Sequence, residues 1–256
     1  MNPGGRAATR GFSFRPLSSS RLIPIRDTIP SRTVPLVNHL LIALNVAAFA
    51  AELLQGARLD SFLWRHAFVP ARFFHPGLYE GWTVGAGVVT VLSAMFLHAG
   101  LLHLAGNLLY LWIFGDNVED ALGHGRYLLF YLGSGILATL FQAAFVPGSE
   151  VPNLGASGAI AGVLGAYFVL YPRARVVTVV PLFILFPLVE IPAGLYLLGW
   201  FLLQFWMGSA SIASGKAVAA QGGVAWWAHI GGFLAGLVLL FLLRPKRRPA
   251  PGYSIR

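Results

Sequence analysis

The sequence predicts an all-α membrane protein, a bundle of six transmembrane helices with a short central fourth helix. Two observations carry this. The 256 residues are 57% hydrophobic and only 11% charged, against about 25% charged in soluble domains. The apolar residues gather into six stretches, 36–54, 97–114, 127–145, 157–171, 179–206 and 226–243. Most approach the roughly 20 residues that a helix needs to cross the hydrocarbon. The fourth is shorter, so its first turn is expected below the membrane surface, in a cavity.

Charge placement orients the bundle. Residues 1–35 carry Arg6, Arg10, Arg15, Arg21, Arg26 and Arg32 among prolines and serines, with Asp27 as the one acid. They read as a flexible basic tail; an organellar transit peptide is the alternative, weakened by the absence of an amphipathic run. The membrane domain occupies 36–243, and 244–256 form a second basic tail. With both tails on one side, fourteen Lys and Arg residues lie there and four (Arg58, Arg65, Arg72 and Lys216) lie opposite. The positive-inside rule then makes both termini cytoplasmic, and the second, fourth and sixth stretches run inward from the outer face. This distribution accounts for the net charge of +9 without nucleic acid. With no cysteine, disulfides and thiolate metal sites are excluded.

Between the first two stretches, residues 55–92 contain Phe62, Trp64, Phe68, Phe73, Phe74, Tyr79 and Trp82. Aromatics in this number suit a structured loop on the outer leaflet, with substrate orientation as its functional alternative. Asp116, Glu119 and Asp120 read as a solvated capping cluster in the turn after the second stretch. The fifth stretch contains Pro181, Pro187 and Pro192, which implies kinks or a re-entrant portion. Glu190 within it is an intramembrane acid, a functional candidate by type; a bond to a carbonyl freed by the prolines is the preferred reading.

The fourth stretch begins VPNLGASGAIAG. Pro152 and Asn153 mark a turn, Gly155 relieves the backbone, and Ser157 opens the helix. The first amides of a helix lack intrahelical partners and sit at its positive end, where an oxyanion is stabilised. Small residues such as Gly158 also let helices pack closely, so the serine alone is compatible with mere packing. The second stretch brings His98, His103 and Asn107, the last two four residues apart on one face. The sixth brings His229, followed by Gly231, Gly232 and Gly236. Because these three stretches run the same way, Ser157, His103, Asn107 and His229 fall at one depth. Polar groups at one level of apolar helices must face each other or water. Together they supply a nucleophile, a base and oxyanion donors. No carboxylate is placed to complete a triad, so a Ser157–His229 dyad is the simpler arrangement.

HxxxxHxxxN in the second stretch, GASG opening the fourth and AHxxG in the sixth resemble the rhomboid intramembrane serine proteases, over residues 35–243. The resemblance implies a rhomboid-like bundle that hydrolyses transmembrane protein substrates near the outer membrane boundary, without cofactor or metal. It implies Ser157 as nucleophile, His229 as base, and His103 and Asn107 as oxyanion contributors. His98, Gly155, Gly158 and Gly232 are supporting positions, Gly232 packing closely against the fourth helix. One departure is Val89-Thr90 where the family often has Trp-Arg, which places the usual loop anchoring in question. A bacterial inner membrane is the expected location, with an organellar membrane as the alternative. Competing readings are a non-catalytic rhomboid-like binder of membrane proteins, a proton relay or transporter built on His98, His103, Glu190 and His229, and a three-histidine metal site. Substrate, organism and oligomeric state are not encoded in these motifs.

Overall fold

The structure, a computed structural model, describes residues 22–180, 185–213 and 224–244. In chain order its elements are β1 (Ile23–Asp27), α1 (Leu36–Leu53), α2 (Leu59–His66), α3 (Pro70–Phe74), α4 (Val84–Ser93), α5 (Leu101–Leu122), α6 (His124–Phe145), α7 (Ser157–Leu170), β2 (Arg175–Val179), β3 (Leu188–Pro192), α8 (Ala193–Ala213) and α9 (Trp226–Leu243). Among the described residues, α1, α6, α8 and α9 are long and apolar enough to cross a membrane. A fifth span results if α4 with its following 3₁₀ turn and α5 count as one, although the two parts meet at 79°. The protein is therefore a mostly helical integral membrane protein.

Helix α7 organises the bundle. It has 14 residues, and every one from Gly158 to Tyr167 is buried, so it is wrapped by protein rather than lipid. Its glycines allow this. A Cβ added at Gly232 would overlap the Gly158 carbonyl, and one at Gly236 would overlap the Gly162 carbonyl. One at Gly165 would strike the Phe233 carbonyl. Backbone therefore meets backbone along the α7–α9 seam, the close approach that small residues permit within membranes.

The all-α expectation needs correcting, because a three-stranded antiparallel sheet lies beyond the C-terminal end of α7. β2 is central, with Ile23 opposite Val179 on one side and Arg175 opposite Pro192 on the other. Val176, Val177 and Thr178 are buried. Their β-branched side chains suit a pleated surface, and β1, some 150 residues away in sequence, supplies a pairing edge.

The fifth stretch is corrected in consequence. Its helix begins at Ala193 rather than near residue 179. Pro187 and Pro192 precede it, at the hairpin and at the strand end, where a missing N–H is tolerated, so neither kinks a span. Pro181 lies outside the described residues, as does Lys216. Glu190 sits in β3, exposed, with a carboxylate oxygen 4.0 Å from Arg175 Nε. It lies outside the helix of the fifth stretch, and among the described residues it makes no bond to a freed helix carbonyl.

The second stretch also shifts. Its helix starts at Leu101 and continues to Leu122, which leaves His98 in the preceding bend and carries Asp116, Glu119 and Asp120 into the last turns. Glu119 is buried rather than solvated. It accepts hydrogen bonds from Val37 N at 3.0 Å and Asn38 N at 2.7 Å, satisfying the first amides of α1, which has no side-chain cap of its own. Asp120 accepts from Thr33 N at 3.0 Å and from Arg32 N. Asp27 accepts from Asn117 Nδ2 at 3.1 Å and from Tyr167 O–H. Residues 22–35 are thus built into the fold, contrary to a flexible tail; residues 1–21 lie outside the described part.

Candidate active site

Ser157 is the first residue of α7, and the segment leading to it is held on several sides. Asn153 pairs with Phe68 in an isolated bridge, N–H to O at 2.7 and 3.1 Å in the two directions. Gly155 N donates to Ala94 O at 2.8 Å. Gly155 has φ +126°, a conformation that side chains rarely adopt, and a Cβ there would lie 2.7 Å from His103 Cε1. Glycine is needed both for the turn and for the imidazole beside it.

From this point Ser157 Oγ donates to His229 Nε2 at 2.9 Å. The other ring nitrogen faces Gln204 Oε1 of α8 at 2.8 Å. An amide oxygen only accepts, so Nδ1 carries the proton and Nε2 presents its lone pair to the serine hydroxyl. Rings of Trp200 and Trp226 flank the imidazole, with centroids 5.7 and 6.4 Å away. The glycine seam three residues on from His229 sets how near the imidazole stands to Ser157. This pair can transfer a proton from hydroxyl to imidazole.

His103 lies against Gly155, two residues before the serine. Asn107, one turn along α5, is buried, and its Nδ2 has no hydrogen-bond partner among the described residues. A buried amide donor without an acceptor is uncommon. His98 stands one shell further out. Its ring lies edge-on to that of His103, centroids 5.1 Å apart, and its Nδ1–H donates to Phe96 O at 3.1 Å. Its backbone N–H donates to Glu52 Oε1 at 3.0 Å. Glu52 and Gln204 were not identified from sequence. Each is a polar residue in a mostly apolar helix, and that is the signal the sequence carries. Glu190, by contrast, lies in the sheet beyond the opposite end of α7. Among the described residues no group of three His, Cys, Asp or Glu is placed to hold a metal ion.

The residues at 89 and 90 do not anchor the long loop: Val89 is exposed and Thr90 Oγ1 bonds within its own helix to Gly87 O at 2.8 Å. Arg72 does so instead. Its guanidinium stacks 4.7 Å from the Trp64 ring and 5.1 Å from that of Trp82, while Nη1 donates to Trp64 O at 2.6 Å. Cation–π contacts of this kind tie α2, α3 and the start of α4 together.

A hydrogen-bonded Ser157–His229 pair thus stands at the N-terminus of a buried short helix inside a membrane bundle. The model of the Rhomboid domain family matches residues 85–246, more than half of the sequence, and the chain belongs to that family. It is 31% identical over 154 residues to "Rhomboid protein 1, mitochondrial" of Saccharomyces cerevisiae, covering 59% of this chain and 40% of that protein. It is 47% identical over 76 residues to "Rhomboid protease GluP" of Bacillus subtilis, covering 30% and 14%. It is 33% identical over 96 residues to "Presenilin-associated rhomboid-like protein, mitochondrial" of Bos taurus, covering 36% and 26%. The chain spans less than half the length of each of these relatives.

Proposed function

We propose that this protein is an intramembrane serine endopeptidase that cuts transmembrane substrates near the outer membrane boundary. The observation that carries the proposal is the 2.9 Å hydrogen bond from Ser157 Oγ to His229 Nε2 at the start of α7. In this reading α1, α5, α6, α7, α8 and α9 are the six spans of a rhomboid bundle, α7 is the short fourth one, and both termini are cytoplasmic. A bacterial inner membrane suits the charge asymmetry, and the chain works without cofactor or metal. Its domains are the tail 1–35, whose last part is docked as β1, the bundle 36–243 and the tail 244–256.

His229 Nε2 takes the Ser157 proton as Oγ bonds to the scissile carbonyl carbon. The carbonyl π pair moves to oxygen, and the resulting oxyanion is held by the Ser157 amide, Asn107 Nδ2 and His103. Collapse expels the amine, which receives the proton from Nε2, and leaves an acyl ester on Ser157. Water then attacks the ester, gives its proton to Nε2 and is incorporated in the new carboxylate, while Oγ recovers its hydrogen. Gly155, Gly158 and Gly232 allow the close approach of His103, α6 and α9, and His98 supports His103.

A spanning helix shields its carbonyls with its own hydrogen bonds, so substrates are segments that unwind readily, with Gly, Ser or Pro near the outer boundary. The test is labelling of purified protein by a fluorophosphonate, with Ser157→Ala as control. Labelling that depends on Ser157 is expected; equal labelling of the two, or none of either, removes the enzyme reading.

A further inference from the structure

The geometry points to Gln204 as a positioning residue that holds His229 in the tautomer and orientation able to accept the Ser157 proton, so that the working unit is Ser157–His229–Gln204. This rests on the protease reading of the same site and adds a third member to it.

A neutral imidazole has two tautomers and can turn about its bond to Cβ. Only a ring with hydrogen on Nδ1 and a lone pair at Nε2 facing Ser157 Oγ is productive. The 2.9 Å bond from Ser157 does not by itself choose among these states, because a serine hydroxyl both donates and accepts. Gln204 Oε1, 2.8 Å from Nδ1, does choose, since an amide oxygen accepts only. It therefore holds hydrogen on Nδ1 and directs the lone pair of Nε2 toward the serine.

The surroundings of Gln204 support this. Its neighbours Leu202, Leu203, Phe205 and Trp206 are each at least half exposed on the outside of α8, whereas Gln204 is 5% exposed. The polar side chain is turned inward against its helix's lipid-facing pattern. The chemistry also accounts for an amide where soluble serine proteases use a carboxylate. An ionised acid without a full partner is costly in a membrane interior, while an amide oxygen accepts the same N–H without carrying charge. It keeps that bond when His229 becomes an imidazolium and takes no proton itself. The proton therefore moves only between Oγ, Nε2 and the leaving amine.

The experiment compares wild type, Gln204→Leu and Gln204→Glu in detergent by three measurements: fluorophosphonate labelling rate, thermal midpoint, and the ¹⁵N shifts of His229 with labelled histidine. The wild type is expected to show the Nδ1–H tautomer. Gln204→Leu should label at least about 10-fold more slowly, the scale seen when the partner that orients a functional histidine is removed, with the Nδ1–H signature lost. Gln204→Glu, which keeps an oxygen acceptor, should restore both. A wild-type Nε2–H tautomer, or wild-type labelling and tautomer in Gln204→Leu, would overturn the proposal. If Gln204→Leu fails to fold, the wild-type tautomer and the Gln204→Glu rate decide it. Absence of Ser157-dependent labelling in the wild type would instead remove the protease reading, and the tautomer measurement would still judge Gln204.

Discussion

Replacing Gly155 with alanine tests whether the segment before Ser157 and the His103 ring form one rigid unit. The added Cβ would stand 2.7 Å from His103 Cε1 and 2.8 Å from Nε2, whereas non-bonded carbons rest at about 3.5–4.0 Å. Something must yield by about 0.8 Å or more, on those contact distances. The backbone is poorly able to do so, because Gly155 N is bonded to Ala94 O at 2.8 Å and the Asn153–Phe68 bridge lies two residues back. The φ of +126° adds strain of order 1–3 kcal/mol for a residue with a side chain. The displacement falls mainly on His103, and a shift near 1 Å at a reacting centre can lower a rate by about 10²-fold. We expect Gly155→Ala to assemble with a lowered thermal midpoint and to label with fluorophosphonate about 10²-fold more slowly. Adding His103→Ala removes the clash, so in the Gly155→Ala background it should lower the rate less than it does alone, a coupling read from the double-mutant cycle. Wild-type labelling by Gly155→Ala, or strict additivity of the two changes, would refute the rigid-unit argument.

Ser157→Ala and His229→Ala should each abolish cleavage of a single-pass substrate in proteoliposomes, and the double variant should be no worse than either, because the pair acts as a unit. Asn107→Ala should retain measurable turnover at about 10²–10³-fold below wild type, the effect of losing one oxyanion donor. Glu119→Ala leaves the Val37 and Asn38 amides of α1 without their acceptor; thermal denaturation should show a loss on the order of 2–3 kcal/mol with Ser157 labelling still detectable at low temperature. Replacing Gly, Ser and Ala near the outer boundary of a substrate helix with Leu should sharply reduce cleavage, mapped by mass spectrometry; an unchanged rate would remove helix unwinding as the selecting step. The chain contains no cysteine, so single cysteines report topology cleanly. One in the 55–92 loop should label from outside intact cells and one in the N-terminal tail should not.

The helical membrane character was legible because the bilayer imposes it: long apolar runs must close their own hydrogen bonds as helices. The meeting of Ser157 with His229, and the presence of His103 beside them, followed from the same constraint, since polar groups at one depth of apolar helices have only each other or water to face. The glycines at 158 and 232 were readable as contact points for the related reason that lipid offers no penalty against close backbone packing.

Tertiary structure decided the rest. Leu188–Pro192 falls within the fifth apolar stretch, and it became a strand because Arg175–Val179, itself paired with Ile23–Asp27 on its other side, offers it an edge. Such pairing depends on neighbours far along the chain and leaves no periodic mark within the segment. The same rearrangement took Glu190 and the two described prolines out of the helix of the fifth stretch. Arg72 supplies the loop anchor that the residues at 89 and 90 lack, through rings brought together only by the folding of three short helices. Gln204 and Glu52 are polar residues in mostly apolar helices, and a helix wheel gives such a residue a face but no partner. Only the packing of α8 on α9, and the bend before α5, turned one toward the His229 ring and the other toward the His98 backbone.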